Sequence, residues 1–310
     1  MIRLARIDHV RIRVADPDEA AARWCRQFGL VERVRGDGIA HLACDDEPYC
    51  IELAAADELV PGIERVAYEL HPDCSLADAR AHLEAAGVSV ADGEQGGLVC
   101  ADPDGNGVEL LPARPRTGRE RYVQHARPAA GLPGAPRKLG HVNFLTGDLD
   151  AQIRFYTEGL GMRVSDRLGD VGVWMRITSE HHVMALVGTG EAHPHHLAFE
   201  YVDIGAIVAA LDHLARDGRW LGWGPVRHGI AGNIAAYVRI VEEECFVELF
   251  CDMEHVADDH EPRVYPDDRF SSNTWGPLPP RSYFRFDAAA IESERESLET
   301  RGVQLAPAEE

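Results

Sequence analysis

The second half of this chain repeats the first. From Leu139 onward the sequence matches the stretch that begins at Ile7 without a gap, at a constant offset of 132 residues from His9 to His141 and from Gly29 to Gly161. Asp16 answers Asp148, Asp18 answers Asp150, and Trp24 answers Tyr156. A later segment repeats too: ERVAYEL from Glu64 is echoed by HHLAFEY from His195, and GNGVELL by CFVELF. A duplicated chain builds the same unit twice, which removes most other architectures from consideration.

The unit can be read from its periods. Ile7 to Val14 alternate apolar and polar residues, the mark of a strand with one buried face. Asp16 then caps a helix, Pro17 suits its first turn, and Gly29 suits the position after its end. Short strands follow near Val31–Val34, Ile39–Cys44 and Tyr49–Leu53. A second unit starts at Glu64, with a helix over about Ser75–Ala86 and last strands around the turn DPDG, where proline presets one angle and glycine takes the left-handed position. The expected fold is therefore α+β: four βαβββ modules paired into two domains. The boundaries are residues 1–113 for the first domain, 114–138 for a proline- and glycine-rich linker with an ordered piece near Tyr122, 139–255 for the second domain, and 256–310 for a tail. Within that tail, Val256 to Pro280 with Trp275 is a candidate lid, and Ala288–Thr300 reads as a helix.

Composition narrows the function classes. With 31 basic against 52 acidic residues the formal net charge is −21, which argues against nucleic-acid and anionic-membrane partners. No apolar run approaches the ~20 residues that span a bilayer. The start, MIRLARIDHV, enters a strand pattern directly and lacks a signal-peptide core. Seven cysteines lie scattered without CxxC pairs, so reduced residues in a cytoplasmic protein are expected. Neither a Walker loop nor a dinucleotide fingerprint is present.

The chemistry gathers in Gly224–Phe250, which carries His228, Tyr237 and Glu248. Glu248 sits inside the apolar strand CFVELF, where an unpaired carboxylate costs several kcal/mol, roughly the penalty of a lone buried ion. Its counter-charge is either a metal or an arginine. The duplication supplies an internal control. The second half places His141, His196 and Glu248 at repeat positions where the first half has His9, Arg65 and Glu109. An arginine at the middle position repels a cation and can pair with Glu109. Two histidines and one carboxylate instead leave open positions on an octahedral ion, the donor set suited to non-haem Fe(II) with O₂, or to Mn(II). Satisfied core histidines are the competing interpretation.

Paired βαβββ modules bearing LGHVNF, HHLAFE and FVELF resemble the vicinal oxygen chelate superfamily of glyoxalase-like folds. Within it, the chain is similar to the type I extradiol catechol dioxygenases, including the biphenyl-diol and homoprotocatechuate enzymes. The resemblance covers nearly the whole chain. It implies a metal held by His141, His196 and Glu248, with Fe(II) expected and Mn(II) the alternative. O₂ is the implied co-substrate, and the implied reaction is cleavage of a catechol ring beside its two hydroxyls. His182 falls where the family has its acid–base histidine. His228 and Tyr237 match a histidine and tyrosine that hydrogen-bond the substrate, and Asn143 a polar residue on the O₂ side. An assembly of identical copies is expected.

The chain also departs from the family. The DP-x-G-N turn survives before Glu109 but is replaced by VEEEC before Glu248, where Glu242, Glu243 and Glu244 are expected to be solvated. Where carboxylate-reading relatives carry arginines, this chain has Trp223 and Ser272 to Thr274, which points to a catechol with a neutral or aromatic substituent. His181 and His195 should face away from the site by strand alternation, and His193 should lie in a loop. Two rivals stand beside the dioxygenase: a metal-dependent isomerase or lyase, and a non-catalytic ligand-binding protein of the same fold.

Overall fold

The computed structural model describes residues 2–36, 38–44, 48–56, 59–114 and 134–300. Most of the linker, Tyr122 included, lies outside them. Each half folds as two βαβββ modules. The first half forms an eight-stranded sheet, and the second a nine-stranded one. In each sheet the first strands of the two modules pair antiparallel at the centre, Leu4–Val14 against Gly62–Leu70 and Lys138–Thr146 against His193–Glu200. His193 thus opens a strand rather than sitting in a loop.

Local chemistry sets the elements. The Asp16 side chain accepts from the backbone of Asp18 and Glu19 and caps Pro17–Phe28, and Gly29 closes that helix in the left-handed region at φ 67°. Asp148 caps the repeat copy by accepting from Ala151. That helix runs only over Leu149–Arg154 before widening into a π-helical turn at Phe155–Gly159. Gly161 is needed twice over. Its φ is 76°, and a Cβ there would lie 2.2 Å from the Ile2 carbonyl oxygen.

The two halves grip each other reciprocally. In the first half, Asp102 of the DPDGN turn accepts from the Tyr156 hydroxyl at 3.2 Å, and Asp104 accepts from Gln152 at 2.8 Å, both on the second half's first helix. In the second half, Glu243 of the VEEEC turn takes both terminal nitrogens of Arg23, on the first half's first helix, at 3.1 and 2.5 Å. The expectation that Glu242, Glu243 and Glu244 are all solvated is therefore corrected at Glu243, which is 1% exposed. A turn glutamate points inward because the other half supplies its counter-ion. Glu242 pairs with Arg219 at 2.7 Å, and Glu244 is exposed.

Beyond Cys251 the chain returns across the second domain. Arg263–Tyr265 adds the ninth strand beside Arg163–Leu168. Helix Ala288–Thr300 docks through Glu294, which takes Arg239 at 2.9 Å and the Trp220 indole. Among the described residues no helix is long and apolar enough to cross a membrane.

Candidate metal centre and cavity

Register places the polar side chains. Across the second sheet, Trp223 stands opposite Tyr237, Tyr237 opposite Glu248, Glu248 opposite Ala198, and Ala198 opposite His141. His196 lies two residues before Ala198 and so shares its face. The alanine between the carboxylate and His141 leaves the space in front of them open. The first half has the same pairs, Ala67 opposite Glu109 and His9 opposite Ala67. The longer VEEEC turn therefore leaves the register of Glu248 equivalent to that of Glu109. In that half Arg65 Nε sits 3.0 Å from Glu109 Oε2.

His141 Nε2 lies 3.0 Å and His196 Nε2 3.1 Å from Glu248 Oε2. The other oxygen, Oε1, accepts from Asn233 Nδ2 at 3.1 Å. One ligand atom from each of the three buried residues falls within 4.8 Å of the other two. Burial raises the Glu248 carboxyl, but His141 and His196 beside it override that and hold it well below the ordinary range. It is a carboxylate.

Hydrogen-bond polarity decides which histidine nitrogens are bare. His195 Nε2 lies 2.8 Å from the Tyr283 carbonyl, which can only accept, so Nε2 carries the hydrogen. Burial keeps the His195 ring neutral, its pKa far below the usual value. Its Nδ1 is then an acceptor, and His196 Nδ1, 2.8 Å away, must donate to it. His196 Nε2 is left as a lone pair aimed at a carboxylate oxygen. Two acceptors at that distance need a shared proton or a cation between them. Two nitrogens and a carboxylate, one tautomer already set, fit a divalent transition-metal ion.

The remaining sequence-predicted residues surround the same space. A cavity of about 140 Å³ is lined by His141, Asn143, His182, His196, His228, Tyr237 and Glu248. His228 Nδ1 donates to the Ser272 carbonyl at 3.0 Å, so its Nε2 accepts from the Tyr237 hydroxyl at 2.8 Å. Burial first, and then Glu248, push the Tyr237 phenol far up. It stays neutral, its oxygen facing the cavity beside the Tyr283 side chain. Burial lowers His228, and more strongly His182, which also faces His141 and His181. His181 and His195 do not reach Glu248; each bonds the Nδ1 of its neighbour instead.

Three of the lining residues that sequence reasoning missed shape the site most. Asn233 pins the carboxylate, Trp174 stands opposite Ala185 and, through it, Asn143, and Tyr283 packs on Tyr237 at 5.1 Å. Tyr283 belongs to a tail without periodicity, so no pattern marked it. Trp275, named for the lid, is 43% exposed and lies over Arg227; Ser271, Ser272, Pro279, Tyr283 and Phe284 are the tail residues at the cavity. A second cluster, Asp166, His181 and Glu254, also has metal-like spacing, but Arg263 bridges its two carboxylates at 2.7 and 2.6 Å and is already the cation there.

A family model described as the Glyoxalase/Bleomycin resistance protein/Dioxygenase superfamily matches residues 6–110 and 138–246. Metapyrocatechase 2 of Cupriavidus necator is 29% identical over 315 residues, covering 90% of this chain and 91% of that protein. A Mn(II)-bound glyoxalase from Novosphingobium aromaticivorans superposes with a TM-score of 0.76 at 25% identity, over 94% of this chain and all of that one. Homoprotocatechuate 2,3-dioxygenase from Arthrobacter globiformis shares the fold, with a TM-score of 0.77 at 20% identity over 91% of each chain.

Proposed function

The chain belongs to the Glyoxalase/Bleomycin resistance protein/Dioxygenase superfamily, and from that premise we propose that it is an extradiol dioxygenase that opens a single-ring catechol carrying a small uncharged substituent. The observation that carries this reading is the convergence of His182, His228, Tyr237 and Asn143 on one cavity beside the His141–His196–Glu248 donor set. The name of the Cupriavidus necator relative, a metapyrocatechase, supports the reaction class.

His141, His196 and Glu248 would hold the ion, Fe(II) or Mn(II). When bound, such an ion supplies Lewis-acid and one-electron chemistry, lowering the pKa of a catechol hydroxyl and letting electrons pass between ring and O₂. The chain's own groups do the rest. Tyr237, its hydrogen committed to His228, offers its oxygen to a substrate hydroxyl and orients the ring. His182 takes and returns a proton at the nitrogen its ring presents to the cavity. Asn143 provides a polar contact on the side away from Tyr237. Trp174, Trp223, Ile230 and the tail residue Phe284 wall the space with apolar surface and keep water out.

Size and charge narrow the substrate. An apolar cavity of about 150 Å³ accepts one benzene ring, and this one is about 140 Å³. Glu248 is its only charged lining residue among those described, so nothing there meets a charged substituent. O₂ uptake and the absorbance of a ring-opened product, followed across catechol, alkylcatechols, carboxylated catechols and biphenyl-2,3-diol, test the reading. Turnover only of carboxylated or bicyclic catechols would refute the substrate class. The likeness to the Mn(II)-bound glyoxalase favours a second reading, a metal-dependent isomerase or lyase. That reading requires turnover without O₂.

A further inference from the structure

The acid–base role proposed for His182 leaves open what sets that ring's protonation. Its Nδ1 lies 3.1 Å from His181 Nδ1, and His181 Nε2 lies 2.8 Å from Asp166 Oδ2. Asp166 and His181 are fully buried. Asp166 is held on its other side by Arg263, whose backbone N–H and Nε both reach Oδ1 at 3.0 Å and whose Nη2 reaches Oδ2 at 2.7 Å. His260 stands 3.5 Å from Oδ1. A buried network of this kind is costly to assemble and gives less stability than apolar packing of the same volume. It therefore asks for another reason to exist.

We propose that Asp166, acting through His181, is the positioning pair for His182 and dictates that its cavity-facing nitrogen is the bare one. For a neutral His181 the hydrogen-bond polarity is fixed. Asp166 stays ionised, since His181 and Arg263 overcome burial and hold its carboxyl at about 2. A carboxylate only accepts, so His181 Nε2 carries a hydrogen. The Nδ1 of a neutral His181 is then an acceptor, so His182 Nδ1 is the donor and Nε2 has the lone pair. A proton taken from substrate at Nε2 leaves a positive ring whose Nδ1–H points at His181, with the Asp166 charge behind it. The arrangement parallels the orienting carboxylate of a serine-protease triad, built here from two histidines in sequence. The inference rests on the proposed role of His182 and adds the residues that prepare it.

The test is Asp166→Asn. Arg263 gives two hydrogens to Oδ1 and one to Oδ2, so an asparagine loses fewest bonds with its oxygen at the doubly bonded position and its NH₂ toward His181, Arg263 Nη2 keeping its bond to Glu254. His181 Nε2 must then be bare and Nδ1 protonated. The His182 tautomer inverts, with N–H facing the cavity. Nitrogen-15 spectra of histidine-labelled, metal-free protein read this directly, since bare and protonated ring nitrogens resonate far apart. The expected result is exchanged signals for both rings in D166N. The metal-loaded variant should show kcat lowered by about 10²-fold, with KM for catechol within about twofold. Should D166N not fold, His181→Phe serves, with the same expected kcat loss and a His182 ring that no longer shows a hydrogen-bonded Nδ1–H. Parental spectra and kcat in these variants, beside a crippled His182→Phe, would overturn this inference alone. Full turnover by His182→Phe would instead overturn the acid–base role, while the spectra still decide the tautomer.

Discussion

Replacing His195 by phenylalanine should weaken metal binding without touching a ligand. The ring is fully buried, edge-on to Tyr283 and stacked near Phe246 at 5.3 Å, and phenylalanine fills nearly the same volume. What disappears is the acceptor 2.8 Å from His196 Nδ1, together with the donor to the Tyr283 carbonyl, a loss common to the metal-free and metal-bound forms. In the metal-free variant His196 can respond by moving its hydrogen to Nε2 and donating to Glu248, 3.1 Å away, so at His196 the free protein loses little. Binding an ion reverses that shift and strands Nδ1–H in a buried place with no acceptor. The penalty for such a group is about 1–3 kcal/mol, and it falls on the bound state alone. At about 1.4 kcal/mol per decade this is a 10- to 100-fold weaker Kd, the range found for partners one step behind a ligand. Calorimetric titration of metal-free protein with Mn(II) measures it, with thermal unfolding of the metal-free forms as the control. A Kd within about twofold of the parent, in a variant that still unfolds cooperatively without metal, would refute the tautomer argument.

Arg23→Ala should cost about 3–5 kcal/mol in denaturant unfolding, because it strands the buried Glu243 carboxylate between the two halves; a loss below about 1 kcal/mol would mean that the turn relaxes into solvent. Acid should unfold the protein partly through Asp166. Its folded value, about 2, lies below the ordinary 3.8, so it contributes about 2 kcal/mol that is complete above about pH 4 and lost as pH falls toward 2. Asp166→Asn should flatten stability over that window, and a curve parallel to the parent's would contradict the sign. Among catechols, kcat/KM should fall by at least about tenfold from a methyl to a phenyl substituent, because a second ring exceeds the cavity; equal values would show that the tail yields to larger ligands.

The fold was legible in the sequence because duplication is a one-dimensional signal. The repeat that aligns His9 with His141 continues, through insertions, into the pairs Ala67–Glu109 and Ala198–Glu248, at offsets of 131 for the alanines and 139 for the glutamates, and the two sheets place these pairs at equivalent registers. Of the metal donors only His196 differs between the copies, against Arg65, while His182, His228, Tyr237 and Asn143 could be named only through the family resemblance. The rest depends on contacts that no period encodes. Glu243 is one of three identical neighbours in a turn, and only Arg23, 220 residues away, makes it an inward one. Asn233, Tyr283 and Asp166 matter through which atom faces which, and strand alternation is silent on that. Strand alternation turns His181 and His195 to the face away from the ion, and neither reaches Glu248. What alternation could not supply is that each would grip the histidine beside it.

On the proposed reading, one copy of the duplicated unit cradles a catalytic ion and the other does not. Anaerobically purified protein should carry about one divalent transition-metal ion per chain and consume O₂ with catechol. His196→Arg, which writes the first half's residue into the second, should abolish both. An Arg variant that retains the ion and the O₂ uptake, or a parent protein that binds no such ion at micromolar concentration, would contradict the account.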